Sequence, residues 1–435
     1  MFQEVITAVV LVATILMIIS GKVSLLLVGL SIPSVLAVAG VIPAASAFNG
    51  IGSKTTFLIV GALMLGDAFF RAGLTDEIGR KTLAVTARFK NEGLKLFVLS
   101  MMAAILSSFL SSLGVQMAFL SFIIVMAAAL GLSKTRALIA LGYGATIGGT
   151  WTIIGTPLSV TGKSAYEALV TGDTIGMFEM SKVSVPVGLL LIVFFCFVGY
   201  RFVPDRCAGQ ENGTVPVDRK EGQKEKKDPS APVSVSRQYT VIFVFLLFVI
   251  LVALDGKIII PAHVVTVIVG VILVTAGISM PKQIFDSITW DVIFLIVGLT
   301  TLSDAVVSTG LGEHIVQALL TATGGVQSPR LILFLICLVT MIVTQVMNNS
   351  GAFSIILPFL PTIALSLQLE PKPVFIATMI TASFGFMLPL SAPSYPVLAR
   401  EGNIQVCDWL LPGTVMALAG LFLTSFLVPF VWPLR

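Results

Sequence analysis

Charge is what this sequence has least of. Asp, Glu, Lys and Arg make up 11% of its 435 residues, while 56% are hydrophobic; soluble domains carry roughly 25% charged residues. A water-soluble fold of this composition would leave large apolar patches in water, so that class is excluded. Histidine is almost missing too: His263 and His314 are the only two, too few for a metal cluster or much acid–base chemistry. The four cysteines, Cys196, Cys207, Cys337 and Cys407, include no C-x-x-C pair and define neither a zinc site nor a disulfide framework. No catalytic residue, transition metal or organic cofactor is expected. The first residues lack a basic n-region and a small-residue cleavage site, so no cleavable signal peptide is expected. The alternating ten-residue segments of a membrane β-barrel are absent as well.

What remains is an all-α polytopic membrane protein, because helices and closed barrels alone satisfy their backbone in lipid. Near-continuous apolar runs such as 5–20 and 331–343 fit that class. At ~20 residues per span the length allows about ten crossings. One hydrophilic stretch rich in Lys, Pro, Ser and Gly divides the chain, and 204–237 reads as a flexible linker. Acidic residues interrupt its lysine run, so no nucleic-acid partner is expected.

The two apolar halves repeat each other. FLIVG occurs at 57–61 and again at 294–298, an offset of 237. At or within two residues of that offset, Asp67 matches Asp304, Gly114 matches Gly351, Pro157 matches Pro393 and Gly21-Lys22 matches Gly256-Lys257. The domains are therefore a first repeat at 1–203 (scaffold helices 1–95, hairpin and transport helices 96–203), the linker, and a second repeat at 238–435 (scaffold 238–330, hairpin and transport helices 331–435). Helices are expected at about 4–20, 23–43, 54–72, 95–111, 114–131 and 183–203. In the second half they fall at 239–254, 258–279, 290–308, 331–347, 351–368 and 410–433. Interrupted helices are expected near 148–158 and over 373–400, and an amphipathic stretch near 75–91. If the paired arms are re-entrant hairpins, each half has five crossings and the second repeat is inverted. The linker is then cytoplasmic and both termini lie outside, with 19 of the 26 Lys and Arg on the inner side, as the positive-inside rule requires. Such inverted repeats with broken helices are the architecture of secondary transporters, whose sites lie near the bilayer midplane.

Two constellations carry chemistry. The hairpin tips read Ser107-x-x-x-Ser111-Ser112 and Thr344-x-x-x-Asn348-Asn349-Ser350. Hydroxyl and amide oxygens beside exposed carbonyls suit a hard cation such as Na⁺, and the helix starting at each tip offers free N–H groups to an anion. The competing reading is polar side chains bonding across packed helices. The helix breaks read GGTWTIIGTPLS at 148–159 and MLPLSAPSYP at 387–396. Backbone freed there is tolerated only beside a cavity or buried protein, although a simple proline kink is the alternative. Residues 96–133, 137–162, 331–369 and 373–399 contain no charged residue and no histidine. Without a titrating group, coupling to Na⁺ is favoured over coupling to protons. Asp67 and Asp304 are the deepest acids, and Asp67 has Arg71 at i+4, the spacing of a local ion pair.

At these residues the sequence resembles the divalent anion/sodium symporter family, within the superfamily that includes citrate carriers. Family members carry Ser-Asn-Thr at each hairpin tip and a Gly-Thr-Pro-Pro-type motif at each break. Gly155-Thr156-Pro157 matches the first break, Met387-Leu388-Pro389 with Pro393 resembles the second, and Asn348-Asn349-Ser350 stands at the second tip. Ser111-Ser112-Leu113 replaces the first Ser-Asn-Thr, and Ala392 stands where the second break carries Thr. The resemblance implies substrate contacts at Ser111, Ser112, Thr156, Pro157, Asn348, Asn349, Ser350, Ala392 and Pro393. It implies sodium contacts at Ser107, Ser111, Ser112, Gly155, Thr344, Asn349 and Ser391. It further implies an elevator-type homodimer in the cell membrane that moves a small anion, a carboxylate first among them, with Na⁺. The stretches near 75–91 and 311–322 would be its connecting arms. The alternatives are a Na⁺-independent anion exchanger or uniporter, a channel, or a membrane-embedded enzyme. For the last, neither a GxSG serine with histidine nor a GxGD aspartate occurs.

Overall fold

The structure, a computed structural model, describes residues 2–20, 23–170, 172–205, 235–254, 262–288, 290–311, 314, 328–389 and 391–435. Nearly all of the linker and the expected second arm at 311–322 lie outside them. The described residues are helical throughout, with no strand among them. The first half runs α1 (Phe2–Ser20), α2 (Leu25–Val38), α3 (Lys54–Arg71), α4 (Leu74–Thr86), α5 (Glu92–Ser107), α6 (Ser112–Leu130), α7 (Lys134–Gly148), α8 (Pro157–Leu169) and α9 (Ser181–Phe197). The second half runs α10 (Val235–Ala253), α11 (Ala262–Thr275), α12 (Pro281–Ser287), α13 (Trp290–Ser308), α14 (Pro329–Val346), α15 (Asn349–Ile356), α16 (Leu360–Ser366), α17 (Pro371–Ala382), α18 (Tyr395–Glu401) and α19 (Val406–Val431). Five stretches, Ala44–Arg71, Ser112–Leu130, Pro329–Val346, Asn349–Ser366 and Val406–Val431, are long and apolar enough to cross a membrane, and six shorter apolar helices accompany them.

Most helices fall where the apolar runs put them, with three differences. The helix expected at 23–43 stops at Val38, because Gly40 takes a positive φ of 70° and short 3₁₀ turns follow at Ala44–Ser46 and Asn49–Gly52. The arm expected at 351–368 is divided by a 3₁₀ turn at Leu357–Phe359, since Pro358 has no N–H to continue an α-helix. Helix α12 was not expected; Pro281 at its first position starts it with φ already set. Elsewhere the punctuation is local. Asn91 caps α5 by accepting from Gly93 N at 2.8 Å. Gly131 closes α6 at φ 60°, and Ser133 caps α7. Asp67 and Arg71 form the ion pair their spacing predicts, at 2.6 Å.

The glycine of FLIVG has a structural reason in both halves. Helix α13 packs on α2, and α3 packs on α11, so the helix that carries FLIVG in each half lies against the second helix of the other half. At the first crossing a Cβ on Gly298 would sit 2.4 Å from Gly29 O, and one on Gly29 would sit 2.2 Å from the Phe294 backbone. At the second crossing a Cβ on Gly61 would sit 2.5 Å from Thr266 Cγ2. Small residues allow this backbone approach between apolar helices. Around this pair of crossings, α5 and α6 pack on α7, while α14 and α15 pack on α17.

Charges collect at the ends of the bundle. At one end Arg136 pairs with Glu92 at 3.0 Å and donates to Val203 O at 2.8 Å. At another, Lys372 at the start of α17 lies 2.8 Å from Asp173 and 3.4 Å from Glu179, and Glu179 accepts from Trp432 Nε1 at 3.3 Å. Lys372 and then the Tyr166 hydroxyl, by hydrogen bonding to its carboxylate, hold the Asp173 pKa down to about 2.

Replacing Gly298 by Val should destabilise the protein, because the contact is backbone against backbone and no side chain can move aside. The expected loss is about 1–3 kcal/mol or more, read as a fall in thermal midpoint in detergent, with Gly52→Ala, where open space surrounds the Cβ and φ is not positive, as the milder control. The Asp173 pair predicts a pH effect of definite sign. A carboxylate whose folded pKa is depressed stabilises the fold above its unfolded value of about 3.9 and loses that stabilisation as pH falls towards 2. Half the Asp173 side chain is exposed, so the effect should be below about 1 kcal/mol. Unfolding midpoints of wild type and Lys372→Met should therefore differ at pH 6 and converge as pH falls from 4 to 2.

Candidate functional site

Each half builds its hairpin tip in the same way. In the first, the Ser107 hydroxyl donates to Ala145 O at 2.6 Å and pairs with the Ser112 hydroxyl at 2.8 Å. In the second, Thr344 Oγ1 lies 2.7 Å from Ala382 O and 2.9 Å from Asn349 Oδ1. Ala145 and Ala382 are themselves 237 residues apart, so the whole triplet recurs. Thr344 has one hydroxyl proton. When it goes to the Ala382 carbonyl, as Ser107 gives its proton to Ala145, the Thr344 and Asn349 oxygens face each other with no hydrogen between them. Such converging oxygens are what a hard cation takes at a broken helix.

The breaks lie beside the tips. Between α7 and α8 the chain leaves helix at Gly149 and resumes at Pro157. The Thr152 hydroxyl donates to Ser108 O, fastening this break to the first tip. A Cβ on Gly155 would come within 2.5 Å of Gly149 O and 2.8 Å of Ser107 O, so only glycine leaves both carbonyls room. The second break spans 383–394. Gln345, next to Thr344, pins it with two bonds, donating to Phe384 O at 2.8 Å and accepting from Met387 N at 3.0 Å, while it also donates to Met341 O of its own helix at 2.9 Å. Ser391 O accepts from Asn349 N at 3.1 Å, joining the break to the second tip.

Tips and breaks enclose one cavity of about 160 Å³, many times the ~10–15 Å³ that one water needs. Ser111, Ser112, Gly155, Thr156, Pro157, Asn348, Asn349, Ser350, Ser391, Ala392 and Pro393 all line it. Ser107 and Thr344 are fully buried just behind the tips, touching the wall through Ser112 and Asn349. No charged side chain lines the cavity among the described residues. Lys163, the nearest lysine in sequence, turns to Glu167 at 2.6 Å and Ile175 O at 2.9 Å instead.

The two tips differ in their helix starts. Asn348 caps α15 by accepting from Gly351 N at 2.7 Å, whereas Ser111 makes no side-chain cap bond to α6. The first-turn N–H groups of α6 are therefore open to an anion. Three polar wall residues were missed by the sequence reading: Gln116, Thr146 and Ser394. Gln116 had a visible signal, a lone amide in an otherwise apolar α6, one turn beyond Ser112. Ser394 lies inside the 387–396 break but was not singled out there, and nothing in the local sequence marks Thr146.

A bundle of apolar helices with two broken helices meeting inside it defines a multi-pass membrane protein. A family model described as Citrate transporter matches residues 15–327 and 260–435, and the chain belongs to that family. An uncharacterized transporter of Methanocaldococcus jannaschii is 26% identical over 61% of this chain and 57% of its own length. The sodium-dependent dicarboxylate transporter SdcS of Staphylococcus saprophyticus is 21% identical over 68% of this chain and 58% of its own. The chain thus spans a little over half the length of these two curated relatives. Among solved structures, the crystal structure of the Alcanivorax borkumensis YdaH transporter, titled as having an unusual topology, shares the fold with a TM-score of 0.57. Identity is 14%, over 89% of this chain and 87% of that one. Family and relatives alike are transporters, which leaves the enzyme alternative without support.

Proposed function

We propose that this protein is a secondary transporter that carries a small carboxylate across the cell membrane with Na⁺. The observation that carries this reading is the convergence of both tips and both breaks on one cavity without a charged side chain. An anion held there relies on helix N-termini, nominally about half a positive charge each, and on bound cations. Burying its charge uncompensated would cost many kcal/mol. The Ser107/Ser111/Ser112/Gly155 oxygens and the Thr344/Asn349/Ser391 oxygens are the two cation sites of this reading. Citrate, from the family, and dicarboxylates, from the relative SdcS, are the first substrates to try.

The finer reading has two inverted repeats of five spans with one re-entrant hairpin each, the linker cytoplasmic and both termini outside. Helix length alone would let α6 and α14 cross fully; the basic-residue asymmetry favours re-entry. The scaffold would be 1–95 with 238–330. The parts at 96–203 and 331–435 would move against it as an elevator, within a homodimer, with α4 as one connecting arm.

Purified protein in proteoliposomes should accumulate labelled citrate or a dicarboxylate under an inward Na⁺ gradient and not under a pH gradient alone. Asn349→Ala should abolish accumulation, whereas Ser112→Ala should retain part, because Ser112 has no amide to lose. Proton-driven accumulation at zero Na⁺ would refute the coupling. For topology, a cysteine placed at 220 should stay unlabelled by an impermeant thiol reagent added outside intact cells, and labelling there would reverse the orientation.

A further inference from the structure

One polar pair in the cavity wall, Gln116 and Ser394, has apolar residues at the equivalent positions of the other repeat. Gln116 is 1% exposed yet lines the cavity. Its Oε1 accepts from the Ser394 hydroxyl, so it bridges the first hairpin to the second break. Its Nε2 lies 3.3 Å from both Gly142 O and Thr146 Oγ1, beyond the usual range for N–H···O bonds. Thr146 is held in turn by the Tyr395 hydroxyl at 2.9 Å, which leaves Tyr395 able to compensate if the amide turns away. The residue 237 after Gln116 is Phe353, and the residue 236 before Ser394 is Leu158. The pair that makes this wall polar therefore has no polar equivalent in the other half.

We propose that Gln116 determines substrate specificity. Its N–H₂ swings from its two long bonds to an oxygen on the substrate's second functional group, while a first carboxylate lies at the open start of α6 and the α15 tip. The Gly142 carbonyl, which can only accept, fixes which end of the amide is the donor, and the Ser394 hydroxyl adapts by donating to Oε1. The site then prefers carboxylates that carry a further oxygen-bearing group, a hydroxyl or a second carboxyl, over simple fatty monocarboxylates. The apolar lining residues Leu63, Leu113 and Leu158 fit the hydrocarbon part. This rests on the carboxylate-transport reading above.

The test is uptake in proteoliposomes of three four-carbon acids: butyrate, which has no second group, succinate, which adds a second carboxyl, and malate, which adds a hydroxyl to that. Wild type should show a lower KM for succinate and malate than for butyrate. Gln116→Leu should raise KM for succinate and malate about 10- to 100-fold and butyrate's by far less, while half-saturation by Na⁺, measured with the acid saturating, stays put. Gln116→Met keeps roughly the length of the side chain but has neither the donor nor a charge. It should lose succinate and malate preference as Gln116→Leu does, and it serves where the leucine variant does not fold. Equal loss for all three acids, a shift in Na⁺ half-saturation, or an unchanged malate KM would overturn the role of Gln116. No uptake of any acid by wild type, under any gradient, would instead remove the transport reading and this inference with it.

Discussion

A chain that breaks its helices inside an apolar bundle must find partners for the backbone groups it frees, because neither lipid nor apolar side chains supply them. The architecture around the cavity follows from where those partners come from. The first break is held by Thr152 on Ser108 O and by Ile153 N on Met177 O at 3.1 Å. The second is held by Gln345 from its own hairpin and by Tyr143 from the other half, whose hydroxyl donates to Phe386 O at 2.9 Å. Tyr143 sits among Phe195, Phe386, Tyr395 and Trp409 in edge-on contacts of 5.1–6.4 Å. That aromatic packing locks the side chain whose hydroxyl supports the break. Hydrogen bonding and packing thus act on the same residue, and the cavity is shaped by groups that do not line it.

The same requirement explains why the repeat is strict in some places and loose in others. Ser107, Ala145, Thr344 and Ala382 satisfy or offer backbone groups at the tips, so their chemistry is fixed: a hydroxyl one turn before the tip and a carbonyl to receive it. Other positions have diverged: Asn349 stands where the first half has Ser112, and Phe353 where it has Gln116. A pseudo-symmetric frame around an asymmetric lining is what a site needs if its two ends meet different chemical groups.

This division also decides what the sequence could reveal. The offset of 237, the tip residues and the two breaks are legible because Gly, Pro, Ser and Asn stand out against an apolar background. Residues behind FLIVG are legible as a motif, but the reason is not: Gly298 meets Gly29, and Gly61 meets Thr266, each from the opposite half, a pairing that no local pattern encodes. Thr146 and Ser394 escaped for the same reason. They become wall residues only because α6, α7 and the second break meet, and that meeting depends on long-range packing. Helix α12 and the turn at Leu357–Phe359 are different cases. Both are set by prolines visible in the sequence, Pro281 and Pro358, whose effect was outweighed in the reading by the length of the surrounding apolar runs.

The absence of charge at the cavity bears on how tightly anything can be held there. A fixed arginine would bind an anion strongly from either side of the membrane and would release it slowly. Helix N-termini and hydroxyls give a weaker and shorter-ranged field, which falls off within the first turn. On the transport reading, the missing positive charge arrives with the cations, so affinity for the anion rises only while they are bound. Linkage makes this reciprocal: the anion must raise cation affinity by the same factor. The uncapped start of α6 and the capped start of α15 then divide the work. Open N–H groups at α6 receive the anion, while the Asn348 cap closes α15 and leaves Asn349 Oδ1 beside Thr344 for a cation. Placing the cation oxygens behind the anion donors keeps unlike charges close with no ionisable side chain between them, and so removes the proton as a competitor for either site.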